Sequence, residues 1–170
     1  PRENALGERW HNLETSVRTT DAAWQPPLDF VIDDAPLVYL SLGSLGGADV
    51  ELMQRLIDAL ADTRFRVIVS MGPRPDQLTL ADNMTGEEFL PQVQVLPLVD
   101  VVVTHAGNNT VTECFLFGKP MVLLPLFWDQ YDNAQRVHEL GFGVRLPTYS
   151  FADGELTGAV DRLLADTELR

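Results

Sequence analysis

The stretch richest in chemistry is His105-Ala106-Gly107-Asn108-Asn109-Thr110, which follows the apolar run 101–104 and opens a helical pattern. A helix start carries partial positive charge and unpaired N–H groups, so it is a natural seat for an anion. Gly107 lets a ligand approach the backbone, and His105 adds a donor that becomes cationic beside phosphate. The other use of His105 is as a core histidine satisfied by a backbone carbonyl. Asn109 and Glu113 are four apart and share a helical face. A carboxylate one turn from a phosphate site can accept two hydrogen bonds from a ribose diol. Thr110-Val111-Thr112-Glu113 also reads as a capping box, in which Glu113 only closes its own helix.

Three further groups of residues lie close to strand-like runs. Ser41-Leu42-Gly43-Ser44-Leu45-Gly46-Gly47 follows the run 37–42. It is not a GxGxxG fingerprint, a P-loop or a GxSxG elbow, and serves either as an anion-facing turn or as a plain tight turn. Trp128-Asp129-Gln130, with Asn133 beyond, follows the run 121–125. A carboxylate beside an amide suits sugar hydroxyls, and Asp129 as a helix N-cap is the plainer use. Phe89, in Phe89-Leu90-Pro91-Gln92, can stack on a base or sit in the core.

The elements that must position these groups follow from periodicity. Strands are expected at 37–42, 66–70, 93–96, 101–105, 121–125 and 143–146. Helices are expected at about 49–60, 109–117, 131–140 and 153–164, two of them stopped by Gly118 and Gly141. A long loop opens at Gly72. The strands are apolar almost throughout instead of alternating, which suits a parallel sheet buried on both faces. The expected fold is α/β, a doubly wound, Rossmann-like sheet, with ligands beyond the carboxyl ends of the strands. Residues 1–36 carry four prolines and two tryptophans, Trp10 and Trp24, without sustained period, and read as a connector ahead of a domain at 37–170.

Composition narrows the classes of function. With 25 acidic against 12 basic residues the net charge is −13, which argues against a nucleic-acid partner and against binding to anionic membrane. A local cluster of donors can still hold a small anion, because fields are screened over roughly 10 Å. One cysteine, Cys114, excludes an internal disulfide framework and a multi-cysteine zinc site. No acidic DxD cluster follows a strand, so no metal is expected at the site. No transmembrane run or signal peptide fits, and a soluble, cytoplasmic protein is the expectation.

These pieces in this order resemble the donor-binding half of the UDP-glycosyltransferases, which have the two-domain GT-B fold. The likeness is to the plant-type nucleotide-sugar box and to the macrolide-type bacterial enzymes of natural-product glycosylation. It runs from Phe89-Leu90-Pro91-Gln92 through His105–Thr110, Glu113 and Gly118-Lys119-Pro120 to Asp129-Gln130 and Asn133-Ala134. The resemblance implies that Phe89 stacks on the base, where plant enzymes use Trp, and that Gln92 contacts the nucleoside. It implies that His105, Asn109 and Thr110, with Gly107 between, meet the diphosphate, and that Glu113 holds the ribose. Ser44 falls in the first donor-contact turn of the family. Asp129 and Gln130 fall at the transferred sugar, as does Asn108, which stands where the plant enzymes have Trp. Leu98 is a second departure, replacing a common His.

The resemblance further implies an inverting transfer of a hexose from a UDP- or dTDP-sugar to a small-molecule hydroxyl acceptor, with no cofactor. The catalytic base of the family is a His on an amino-terminal acceptor domain, and neither His11 nor His138 matches it. No catalytic residue is therefore expected here, and the chain alone is expected to be inactive. A sugar-nucleotide epimerase of the same fold and a non-catalytic nucleotide-binding helper are the competing readings.

Overall fold

The computed structural model describes residues 17, 23–27, 30, 34–167 and 169. Six strands lie side by side in one parallel sheet: β1 (Leu37–Ser41), β2 (Arg66–Ser70), β3 (Met84–Glu87), β4 (Val101–Thr104), β5 (Met121–Leu123) and β6 (Gly143–Arg145). Their order is β3-β2-β1-β4-β5-β6. Helices α1 (Gly43–Gly46), α2 (Val50–Leu60), α3 (Gln92–Val95), α4 (Asn108–Leu116), α5 (Gln130–Glu139) and α6 (Glu155–Ala165) complete the doubly wound α/β fold.

The unbroken apolar character of the strands has a direct cause. Val38 and Leu40 of β1, Val67 and Val69 of β2, and Val101 and Val103 of β4 pack on α2 and α6. Their neighbours Leu37, Tyr39, Ile68 and Val102 point to the other face, among Val95 of α3, Val111 and Cys114 of α4, and Ala134 and Val137 of α5. Both faces are covered, so every strand position gains from being apolar, by about 1.5–3 kcal/mol for each buried large aliphatic side chain.

One expected strand is not a strand. Residues 93–96 lie in α3 and the 3-10 turn Leu96–Leu98 that follows. Val95 and Leu96 are fully buried, so the apolar signal is real, but a short run cannot distinguish a strand from a buried helical turn. The sheet position beyond β2 belongs instead to β3, Met-Thr-Gly-Glu, inside the expected long loop. As an edge strand it buries only Met84 well, and it carries Gly86 because a Cβ there would stand 2.6 Å from the Val69 carbonyl oxygen. Asn83 fixes its start by donating from Nδ2 to the carbonyls of Leu60 and Phe65, each at 3.0 Å.

Most of the expected connector, Trp10 and His11 included, lies outside the described residues. Two of its described residues rest on the domain. Phe30 is buried in the core on the α3–α5 side, and Trp24 packs at its margin while its indole donates to Glu87 at 2.8 Å.

Candidate functional site

The strand order reverses between β1 and β4, and at that point the two following connections separate and leave a cleft. The cleft measures about 460 Å³. Its centre is His105, the residue after β4. The imidazole lies between two glycines: a Cβ on Gly43 would stand 2.7 Å from its Cε1, and one on Gly107 would collide with its Nε2. The ring is hydrogen-bonded to the backbone of Ser41, and its Nδ1 lies 3.3 Å from Thr104 Oγ1. The backbone anchor expected of a core histidine is present, and it holds a ring that lines the cleft. Burial lowers its pKa, while the Ser41 bond and the Asp129 carboxylate push it back up.

The next residues turn sharply into α4. Ala106 takes a left-handed φ of +65°, Gly107 is the N-cap, and no side chain caps the helix. The first-turn N–H groups have no acceptor inside the helix, and Asn108 and Asn109 stand exposed there at the edge of the cleft. The capping-box reading of Thr110–Glu113 fails because the helix has already begun two residues before Thr110, which places Glu113 in the second turn. Glu113 is buried to 8% exposure, and its Oε2 accepts from Gln92 Nε2 at 2.5 Å. Gln92 also donates to Thr110 Oγ1 at 3.3 Å. No cation pairs with Glu113 among the described residues, so this buried carboxylate is a strong acceptor in need of donors.

Ser44, Phe89, Gln92, His105, Gly107, Asn108, Asn109, Thr110 and Glu113 all line this one cleft. Phe89 is 53% exposed, which removes the core alternative and leaves its ring open at the cleft wall. The lining also contains Tyr39 and Ser70, which sequence reasoning passed over, and Ser41, which it named only as the start of the glycine-rich turn. The Tyr39 hydroxyl is hydrogen-bonded to both serines, and burial pushes its pKa up to about 12. Ser41 and Ser70 are register partners at the carboxyl ends of β1 and β2. A serine ending an otherwise apolar strand is the signal that marks them.

Asp129 and Gln130 do not line the cleft. They form the turn into α5. Gln130 is buried, and its Oε1 accepts from the N–H groups of Leu126 at 2.9 Å and Phe127 at 3.1 Å. Its Nε2 is what remains to meet a ligand. Asp129 is exposed and stands at the N-cap position of α5 as the plainer alternative has it, but its side chain makes no capping hydrogen bond. Its Oδ2 accepts from Asn133 Nδ2 at 3.1 Å. The same Asn133 nitrogen donates to the Ala106 carbonyl at 3.1 Å and so ties this turn to the loop that carries His105.

Among the described residues no cluster of metal-ligating side chains occurs, and no helix is long and apolar enough to cross a membrane.

Known proteins resemble this chain in sequence and in fold. The NDP-glycosyltransferase YjiC of Bacillus subtilis is 36% identical over 140 residues, which are 81% of this chain and 36% of that protein. The crystal structure of the glycotransferase of kitacinnamycin superposes with a TM-score of 0.78 at 26% identity, over 89% of this chain and 39% of the other. The glycosyltransferase SsfS6 of Streptomyces sp. SF2575, crystallised with thymidine diphosphate, gives 0.64 at 26% identity, over 85% and 37%. The chain thus spans little more than a third of the length of these relatives, and its fold is that of one half of a GT-B glycosyltransferase. The family profile described as UDP-glucoronosyl and UDP-glucosyl transferase matches residues 31–170, and the chain belongs to that family.

Proposed function

We propose that residues 37–170 are the nucleotide-sugar donor-binding domain of an inverting glycosyltransferase, which moves a hexose from a UDP- or dTDP-sugar to a hydroxyl of a small-molecule acceptor. The observation that carries this reading is Glu113. A buried carboxylate held by one amide, one turn beyond an open helix start and a seated histidine, matches the ribose-then-diphosphate order of a nucleoside diphosphate. In this reading Phe89 stacks on the base, Glu113 and Gln92 hold the nucleoside, and His105, Ser44 and the α4 start hold the diphosphate. Asp129, Gln130 and Asn108 face the sugar. The crystallisation of SsfS6 with thymidine diphosphate supports a nucleotide of this kind.

The chemistry follows from the charges. As the acceptor oxygen attacks the anomeric carbon, the diphosphate leaves and gains negative charge. Donors already aimed at that position stabilise it without reorganisation. The α4 N–H groups and His105 play this part, and no metal is needed. The base that deprotonates the acceptor belongs to an acceptor domain outside these residues, so the 170-residue chain alone forms no glycoside.

Titration calorimetry with UDP, dTDP and their glucose conjugates, with and without a chelator, tests the reading. Binding of a diphosphate that is indifferent to chelation is the expected result. An absence of binding by every diphosphate, or a large loss of affinity on chelation, overturns it.

A further inference from the structure

Trp128 stands out on two counts that packing does not explain. Its φ is +54°, in the left-handed region that disfavours side chains with a Cβ, and its side chain is 77% exposed. Burial in the core therefore does not offset the strain. The turn nevertheless holds the conformation firmly. Gln130 Oε1 takes the N–H groups of the two preceding residues, and Tyr131 donates from its hydroxyl to the Leu126 carbonyl at 3.1 Å. The Phe127 ring meets the indole edge-on, with centroids 4.9 Å apart.

The place of this ring along the site is set by its neighbours. Asp129, the next residue, is close enough to shift the charge balance of His105, and Asn133 links it to the Ala106 carbonyl. Trp128 therefore lies on the His105 side of the site, whereas Phe89 precedes Gln92, whose amide reaches Glu113 in the second turn of α4. In a nucleotide sugar the sugar lies beyond the outer phosphate, at the end away from the base. We propose that Trp128 is a specificity-determining residue for the sugar, packing its indole against the apolar C–H face of the ring whose hydroxyls meet Asp129 and Gln130. An aromatic surface with two stiff torsions suits this contact, because little entropy is lost when a ligand settles on it. The proposal rests on the donor-site reading given above.

The test uses Trp128→Gly, Trp128→Ala and Trp128→Phe in the full chain. Each variant is titrated with UDP, UDP-glucose, dTDP and dTDP-glucose, and its Tm is recorded. In the Gly and Ala variants the Kd of the bound sugar nucleotide should rise about tenfold and that of its free diphosphate should stay within about twofold. The Phe variant should recover part of the loss. Because glycine tolerates the left-handed turn, the Tm of Trp128→Gly should hold or rise by about 2–4 °C. Equal shifts for sugar nucleotide and diphosphate, no shift for either, or a clear fall in Tm with Trp128→Gly would overturn the proposal. If the parent chain binds sugar nucleotide and diphosphate normally while the variants match it, only the assignment of Trp128 fails. If the parent binds neither, the donor-site reading fails as well.

Discussion

The cleft between β1 and β4 and the turn ahead of α5 both sit at the carboxyl edge of the sheet, yet they are built differently. In the cleft the polar groups are drawn inward. Glu113 is buried and bridged by Gln92, the Tyr39 hydroxyl is clasped by two serines, and His105 is wedged between glycines. In the turn the polar and aromatic groups face outward, with Asp129 and Trp128 exposed, and only Gln130 is sunk into the backbone. A preorganised, desolvated cleft suits a ligand part common to many donors, and an exposed turn suits a part that varies. The difference teaches that, on the proposed function, binding of the nucleotide and of the sugar can be separated by mutation.

The largest separation should come from Glu113→Gln. The amide keeps an acceptor for Gln92 but loses the charge, so Tm stays near that of the parent. Affinity for free diphosphate and sugar nucleotide should fall together by about 1.5–3 kcal/mol in calorimetry. Gln130→Ala tests the turn by its effect on folding. Two backbone N–H groups lose their acceptor, and denaturant unfolding should show about 1–3 kcal/mol of lost stability. The affinity for free diphosphate should survive, and its loss would mean that the two regions are not independent. Asp129→Ala should weaken only the sugar nucleotide, by about 1.5 kcal/mol, whereas Phe89→Ala should weaken both ligands alike by about 1 kcal/mol. If Asp129→Ala weakens free diphosphate as much as sugar nucleotide at unchanged Tm, the division of labour is wrong.

The smallest effect concerns pH. Burial holds the His105 pKa below its ordinary 6.5, so at mildly acidic pH the unfolded chain binds more protons than the folded one. The stability from keeping this ring neutral is full above 6.5 and is lost as pH falls through 6.5 toward the lowered value. The parent should therefore lose more Tm than His105→Gln between about pH 7.5 and 5.5. An identical pH response in the two proteins would contradict the seated, desolvated ring.

Much of this was legible in the sequence, and the failures have physical causes. The four inner strands were visible because two-sided burial leaves them continuously apolar, as in Val101-Val102-Val103. The edge strand β3 was invisible because an edge position asks little of Thr85, Gly86 and Glu87. The helix at 92–95 passed for a strand because apolar residues such as Val95 and Leu96, buried against a sheet, look the same in either conformation. Nine of the site residues meet in one cleft, and most of them were read just after β1 or β4, where topology forces convergence, whereas Phe89 and Gln92 were singled out ahead of a strand that is in fact α3. Tyr39 escaped notice because inside a strand it reads as core. Its hydroxyl matters only once Ser41 and Ser70 are known to be register partners. The inward pose of the Gln130 carbonyl oxygen depends on the three-dimensional turn, and no spacing rule announces it.

The central claim is that the β1–β4 cleft holds a nucleoside diphosphate with its phosphates on the α4 start. A crystal structure of the chain with UDP or dTDP tests this most directly. The predicted result is a base against Phe89, ribose hydroxyls on Glu113, and phosphate oxygens at the N–H groups of Asn108–Thr110 beside His105. A diphosphate bound instead in the separate cleft lined by Tyr131, His138, Arg145 and Tyr149, with the β1–β4 cleft empty, would contradict the account.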